Sequence, residues 1–251
     1  ILFVNQNTGW AVGGHEDIFQ GNKFFIKNTT NGGQNWSTQD STGLPNLNSI
    51  FFTSAQSGWI IGGGGTIKHT TNSGINWVSQ NSGTTRELYD IHFFNNNSGY
   101  ILGGNGALLK TTNSGINWSF YQIPVPVGGS FSFINPDTGW ATGGEDFVFK
   151  TMNGGATWAY QSIPFHEFMG NVFFIDNNTG WLAGGKYYGI TIGSILKTTN
   201  SGQNWLKVPL EIESPISSIF FTSAIEGWAV GRMGTIIKTY DDFVSLNNLN
   251  N

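Results

Sequence analysis

Thr70-Thr71-Asn72-Ser73-Gly74-Ile75-Asn76-Trp77 decides the fold, because close copies recur at 29–36, 111–118, 151–158 and 198–205. Each copy offers a hydroxyl and an Asn side chain that can bond the backbone of a tight turn, and a Gly that supplies the positive φ such a turn requires. A Trp then opens the next strand and buries a large ring beside the hairpin. The residues concerned are Asn31, Gly33 and Trp36; Asn72, Gly74 and Trp77; Asn113, Gly115 and Trp118; Asn153, Gly155 and Trp158; and Asn200, Gly202 and Trp205. Turn chemistry accounts for all of them, so the motif reads as a folding device, with ligand binding as the alternative.

Working outward, a Gly-aromatic pair precedes each copy: Gly9-Trp10, Gly58-Trp59, Gly99-Tyr100, Gly139-Trp140, Gly180-Trp181 and, before a sixth and degenerate copy, Gly227-Trp228. The period is about 41 residues where loops are short, the length of one four-stranded propeller blade. Six positions before each Gly stands a Phe (Phe3, Phe52, Phe93, Phe133, Phe174, Phe221), with another apolar residue two positions earlier, on the same face of a first strand. The intervening residues are mostly apolar as well, as for a strand buried on both faces, with His92 and Ser132 as exceptions. The fold expected is all-β: a β-propeller of four-stranded antiparallel blades, with six repeats in this chain, as a full ring or as part of a seven-bladed one. Residues 1–246 read as one domain with repeats near 1–40, 41–81, 82–122, 123–163, 164–210 and 211–246, and 247–251 as the start of a polar linker. The sixth copy, Thr239–Leu246, lacks Gly and Trp where the motif wants them. Either 243–246 forms a poor fourth strand or the closing strand lies in upstream sequence; the second is preferred.

Composition agrees. The 251 residues include 36 glycines, and charged residues are 10%, far below the typical ~25%. The net charge of −4 lacks the footprint of a nucleic-acid binder. No apolar run approaches the ~18 residues of a membrane-spanning helix. With 0 cysteines there are no disulfides, thiolate metal sites or thiol nucleophiles.

The motif resembles the Asp-box, Ser-x-Asp-x-Gly-x-Thr-Trp, with Asn at the acidic position. The longer pattern GW-h-h-G-G … K-T-T-N-x-G-x-N-W resembles the photosystem II stability/assembly factor-like branch of Asp-box (BNR-like) propellers. That resemblance implies a typically seven-bladed, extracytoplasmic and non-enzymatic scaffold for protein assembly, here a non-photosynthetic secreted bacterial member. Photosynthetic members use an arginine-rich surface, whereas this chain has only Arg86 and Arg232. Sialidases share the motif but need three arginines. Propeller glycosidases acting on xyloglucan, which use a separated pair of aspartates, stay open as an alternative, as does a photosystem II assembly factor-like role.

Function is expected on the loops where repeats disagree. The second-to-third-strand loops contribute His15, Glu16, Asp17 and Phe19; Glu145 and Asp146; Lys186, Tyr187 and Tyr188; and Arg232. The interblade loops add Arg86, His166, Glu167 and Phe168. Read as a binding face, these place Phe19, Phe168, Tyr187 and Tyr188 as anchors and Arg86 and Arg232 as anion contacts; the plain alternative is that loops are wet and tolerant. A second pattern, His69, Lys110, Lys150, Lys197 and Lys238, reads as solvated strand ends or, less simply, as an anion-binding ring. No catalytic residue is assigned, and the histidines lack metal-ligand spacing, so neither metal nor cofactor is expected. The expected partner is an unknown protein or glycan, with no nucleic acid and no membrane insertion, and the chain is expected to be a monomer.

Overall fold

The computed structural model describes residues 1–15, 23–41, 45–124, 129–145, 147–186, 192–209, 212–241 and 247–248. It is all-β, with six four-stranded antiparallel blades in a propeller arrangement. The chain divides into two compact units, Ile1–Gln122 and Ile123–Asn251. In the first unit, blade 1 comprises Leu2–Phe3, Gly9–His15, Lys23–Thr29 and Ser37–Asp40; blade 2, Leu47–Phe52, Gly58–Gly62, Thr66–Thr70 and Val78–Gln80; blade 3, Leu88–Phe93, Gly99–Gly103, Ala107–Thr111 and Ser119–Gln122. In the second, blade 4 comprises Phe131–Phe133, Gly139–Ala141, Phe147–Thr151 and Ala159–Ser162; blade 5, Phe168–Phe174, Gly180–Lys186, Ile192–Thr198 and Leu206–Lys207; blade 6, Ile216–Phe221, Gly227–Gly231, Ile236–Thr239 and Asn247–Asn248. Strands pair in chain order in every blade, and Gly144–Glu145 leaves blade 4 to pair with Phe168–Met169 of blade 5.

Blade-to-blade packing explains the Gly-aromatic pair. Within the units, the Trp of one blade stacks on the first-strand Phe of the next: Trp10 on Phe52, Trp59 on Phe93, Trp140 on Phe174 and Trp181 on Phe221, at 3.8, 3.8, 3.5 and 3.6 Å. The same Phe lies against the Gly of its own blade so closely that a Cβ at any of these six glycines would stand 2.5–2.7 Å from the ring. The motif Trp of its own blade meets it edge-on, as Trp77 meets Phe52 at 6.0 Å and Trp205 meets Phe174 at 6.0 Å. Phe52, Phe93 and Phe174 are therefore each held on two faces and an edge, an arrangement that adds to simple burial of aromatic area. The apolar core follows suit: four clusters among the described residues are each formed by the trailing face of one blade and the leading face of the next.

The recurrent turn is a hydrogen-bond device. In blade 2, Thr70 Oγ1 donates to Asn72 Oδ1 and accepts from the Gly74 amide at 2.9 Å, while Asn72 Oδ1 accepts from the Asn76 amide at 2.9 Å. The same set recurs around Thr29, Thr111, Thr151 and Thr198. The motif glycines have φ of 78–85°, the left-handed region where a side chain is strained. Blade 6 keeps the opening of this device with a real aspartate: Thr239 Oγ1 donates to Asp241 Oδ1 and accepts from the Asp241 amide. Its fourth strand is Asn247–Asn248, paired with Ile237 and Lys238, so the sheet runs into the segment expected to be linker.

A candidate binding groove on the fifth blade

The fourth strand of blade 5 is only two residues long, Leu206–Lys207, and Pro209 follows closely. Proline has no amide to donate, which suits the end of an edge strand. Trp205 is buried, while Leu206 beside it is 74% exposed. Along this edge runs a cavity of about 840 Å³, lined by Pro164, Trp205, Leu206, Val208 and Pro209, by the motif turn residues Thr199, Asn200, Gln203 and Asn204, and by Lys197 and Lys207. Its surface is mostly apolar, and its charged lining residues are both cationic.

Two contacts fix those cations. Lys197 Nζ lies 5.5 Å from the Trp181 ring centre, a cation–π distance. Lys207 Nζ forms an ion pair with Glu167 Oε1 at 2.6 Å, and the Glu167 side chain is 2% exposed. A buried carboxylate needs such a partner. Glu167, one of the residues expected in a binding face, here holds Lys207 against blade 5.

The remaining expected site residues sort as follows. His166 is exposed, with φ of 49°, and Phe168 is half-buried at the start of its strand. The main chain of Phe168 pairs with both Glu145 and Gly185, which brings Glu145, Phe168 and the exposed Lys186 to one end of blade 5. Arg86, expected as an anion contact, makes its contacts within blade 3. Its Nη1 donates to Asn105 O at 3.1 Å and Gln122 Oε1 at 2.9 Å, and its guanidinium lies 5.3 Å over Phe120. Arg232 is exposed on the turn between the second and third strands of blade 6. His15 closes its strand by pairing with Lys23. Glu16, Asp17, Phe19, Asp146, Tyr187 and Tyr188 lie outside the described residues.

The basic positions are not simply solvated strand ends. Each lies opposite the aromatic of its Gly-aromatic pair in the neighbouring strand, as Lys150 lies opposite Trp140. Lys110, Lys150, Lys197 and Lys238 stand 5.2, 5.1, 5.5 and 4.6 Å from the rings of Tyr100, Trp140, Trp181 and Trp228, and His69 stacks on Trp59 at 4.3 Å. Burial lowers the pKa of Lys150 and of His69. The sharpest shift is that of His92, lowered by burial to about 4, with Phe51 and Phe94 edge-on to its ring at 5.2 and 4.9 Å. Among the described residues there is no cluster of three His, Cys, Asp or Glu that could hold a metal, and no helix long and apolar enough to cross a membrane.

The sequence had not pointed to the groove. It arises from a shortened edge strand, and the available signal was Pro209 following Trp205 so closely.

Repeat, turn and blade packing together define the class, a β-propeller of four-stranded antiparallel blades. Residues 116–218 match the family model described as Photosynthesis system II assembly factor YCF48. That match spans 103 of the 251 residues. Among solved structures it is similar to YCF48 bound to a D1 peptide, with a TM-score of 0.75 and 20% identity over 99% of this chain and 80% of that one. It is also similar to an ancestral GH74 enzyme, with a TM-score of 0.72 and 16% identity over 98% of this chain and 38% of that one. The GH74 xyloglucanase from Xanthomonas campestris gives a TM-score of 0.72 and 9% identity over 94% and 43% of the two chains. At these identities the likeness is one of fold, and the chain spans less than half of either glycoside hydrolase. No curated protein matches the sequence.

Proposed function

We propose that this protein is a non-catalytic propeller scaffold that holds an extended segment of a partner protein along the outer edge of blade 5. The observation that carries the reading is the groove itself, an apolar trough beside an edge strand of two residues, with Lys197 and Lys207 on its wall. An extended peptide can add to such an edge through its main chain while side chains occupy the trough. Lys197, beside the Lys207–Glu167 pair, favours an acidic residue or a terminal carboxylate in that segment. The similarity to a propeller bound to a peptide supports the reading. The loop residues chosen from sequence, Tyr187, Tyr188 and Phe19 among them, belong to the same proposal as further contacts, and a glycan is the alternative ligand. So does an extracytoplasmic location, secreted or at the cell surface, which the family resemblance implies and cell fractionation tests.

Leu206→Asp tests the groove directly, because Leu206 is exposed and its loss leaves the core intact. Binding to an acidic ten-residue peptide panel, followed by fluorescence anisotropy, should weaken on the order of 10-fold, the effect of removing an apolar anchor. The melting temperature should not move. Undiminished binding by the variant would remove the groove from the account.

The competing reading, a glycoside hydrolase or lyase, draws on the fold shared with the GH74 enzymes. It needs two carboxyl groups roughly 5–9.5 Å apart around a sugar bond, and Glu167 is already committed to Lys207. Release of reducing sugar from xyloglucan would favour it over the scaffold.

A further inference from the structure

The outer strand of blade 5 offers its main chain at one residue. Leu206–Lys207 pairs antiparallel with Ile192–Thr198, with Lys197 opposite Leu206 and Leu196 opposite Lys207. One residue further along, the Val208 amide donates to Ile195 O at 2.9 Å. In an antiparallel ladder, bonded pairs alternate with non-bonded ones. The bond from Val208 makes Ile195 and Val208 a bonded pair, so Lys197 and Leu206 form the next one. Leu196 and Lys207 occupy the non-bonded position between them. The amide and carbonyl of Lys207 therefore point away from the sheet, towards its open edge. Two residues on, where the next outward donor would stand, is Pro209, which has no N–H.

The two faces of this edge differ in chemistry. Side chains alternate along a strand, which puts Trp205 and Lys207 on one face and Leu206 and Val208 on the other. The cores agree: Trp205 joins Leu196 in the core between blades 4 and 5, and Val208 joins Ile195 in the core between blades 5 and 6. On the first face Trp205 packs with Trp140 and Val148 of blade 4, and Pro164 lines the groove. The Lys207 ammonium on that face is already matched by Glu167 at 2.6 Å. On the second face the exposed Leu206 lies opposite Lys197, so an apolar side chain and a cation stand side by side.

Resting on the reading of the groove as a peptide site, we propose that the bound segment adds as an antiparallel strand through a single bonded pair with Lys207, carrying an apolar residue at that pair and an acidic residue next to it. In this arrangement one partner residue satisfies both outward groups, donating its N–H to Lys207 O and accepting from the Lys207 amide. Its side chain falls on the face of Trp205 and Pro164, where an apolar group packs and a carboxylate would compete with Glu167 for Lys207. The residues on either side of it fall on the Leu206 face, where a carboxylate meets Lys197. Their own N–H groups point away from blade 5. Specificity is thus a pattern of alternation, acidic beside apolar, rather than a matter of net charge.

The test uses the unaltered protein and the tightest-binding peptide of the acidic ten-residue panel, with binding followed by fluorescence anisotropy. N-methylation of one peptide amide at a time should weaken binding on the order of 10-fold at a single apolar residue, whose bond to Lys207 O is lost. Methylation at either neighbour should change it by less than about 2-fold. Exchanging that apolar residue with its acidic neighbour keeps composition and charge, and should also weaken binding on the order of 10-fold. On the protein side, Lys207→Pro in a Glu167→Gln background removes the outward N–H while the inward bonds of Leu206 and Val208 remain, and should weaken binding to a similar degree. The peptide arms need no folded variant. Equal tolerance of methylation at every position, in a peptide that Leu206→Asp still weakens, overturns the strand pairing and leaves the groove standing. An exchange without effect overturns the pattern of alternation. A panel from which no peptide binds overturns the groove and this proposal together.

Discussion

Trp181 of blade 5 and Trp228 of blade 6 follow the same glycine, lie opposite a lysine in the next strand, and have that lysine over the ring at 5.5 and 4.6 Å. Trp181 also has Phe221 stacked on it at 3.6 Å and is 0% exposed, while Trp228 is half-buried. The dipeptide and its lysine are thus common to both blades, and the difference comes from the neighbouring blade alone. Within a blade, sequence builds a Trp–Lys platform; stability and burial arrive only when a following blade delivers its Phe.

The largest test of the contrast is truncation of each Trp. Trp181→Ala should cost about 4 kcal/mol, the range for emptying a buried aromatic site, and lower the melting temperature by roughly 10 °C for a chain of this size. Trp228→Ala should cost about 1 kcal/mol, because less of its ring leaves water on folding. Equal losses in thermal melts of the two variants would break the comparison.

The same row of residues sharpens it through pH. Phe173 and Phe220 occupy one first-strand position, facing Trp181 and Trp228 across their strands, and blade 3 has His92 there, opposite Tyr100. Burial keeps His92 neutral down to about pH 4, against an ordinary value of 6.5. As pH falls through that window the unfolded chain takes up a proton that the folded chain refuses, so stability drops with falling pH. The loss should reach about 3 kcal/mol by pH 4 and be absent above pH 7. His92→Phe, the residue found at the sister positions, should abolish this component in urea titrations between pH 7 and 4. A pH dependence identical to that of the unaltered protein would show that His92 is not held neutral.

A smaller effect separates the turns. Thr198→Val removes the hydroxyl that accepts from the Gly202 and Asn200 amides and should cost about 2 kcal/mol by leaving buried donors unpaired. Thr239→Val should cost about 1 kcal/mol, since position 243 is Phe and the sixth turn has no motif glycine. Reversal of that order would mean that blade 6 relies on its turn more than the intact blades do.

Local patterns were legible in the sequence, and relations between repeats were not. The Thr-x-Asn-x-Gly turn could be read because all its bonds fall within five residues. Gly58 and Phe52 could be placed in one blade by their spacing, but the stacking of Phe52 on Trp10 joins two repeats and appears only once blades are packed. Lys150 looked like a solvated strand end because its place over Trp140 depends on the register of two strands. Glu167 looked like a loop acid because its partner, Lys207, lies 40 residues on in an edge strand. The groove was illegible for a related reason, being the space left where that edge strand is short. Asn247–Asn248 had no apolar period to betray a strand, since an outermost strand needs only main-chain pairing.

The most direct test of the central claim is a double-mutant cycle on Trp181→Leu and Phe221→Leu, measured by urea unfolding. If the ring of one blade is held by the ring of the next, the two losses should fall short of additivity by about 1 kcal/mol, the coupling of a stacked aromatic pair. A cycle on Trp228→Leu and Phe221→Leu should show none. Additive losses for Trp181 and Phe221 would contradict the account, because the contact that distinguishes a buried blade face from an open one would then carry no energy of its own.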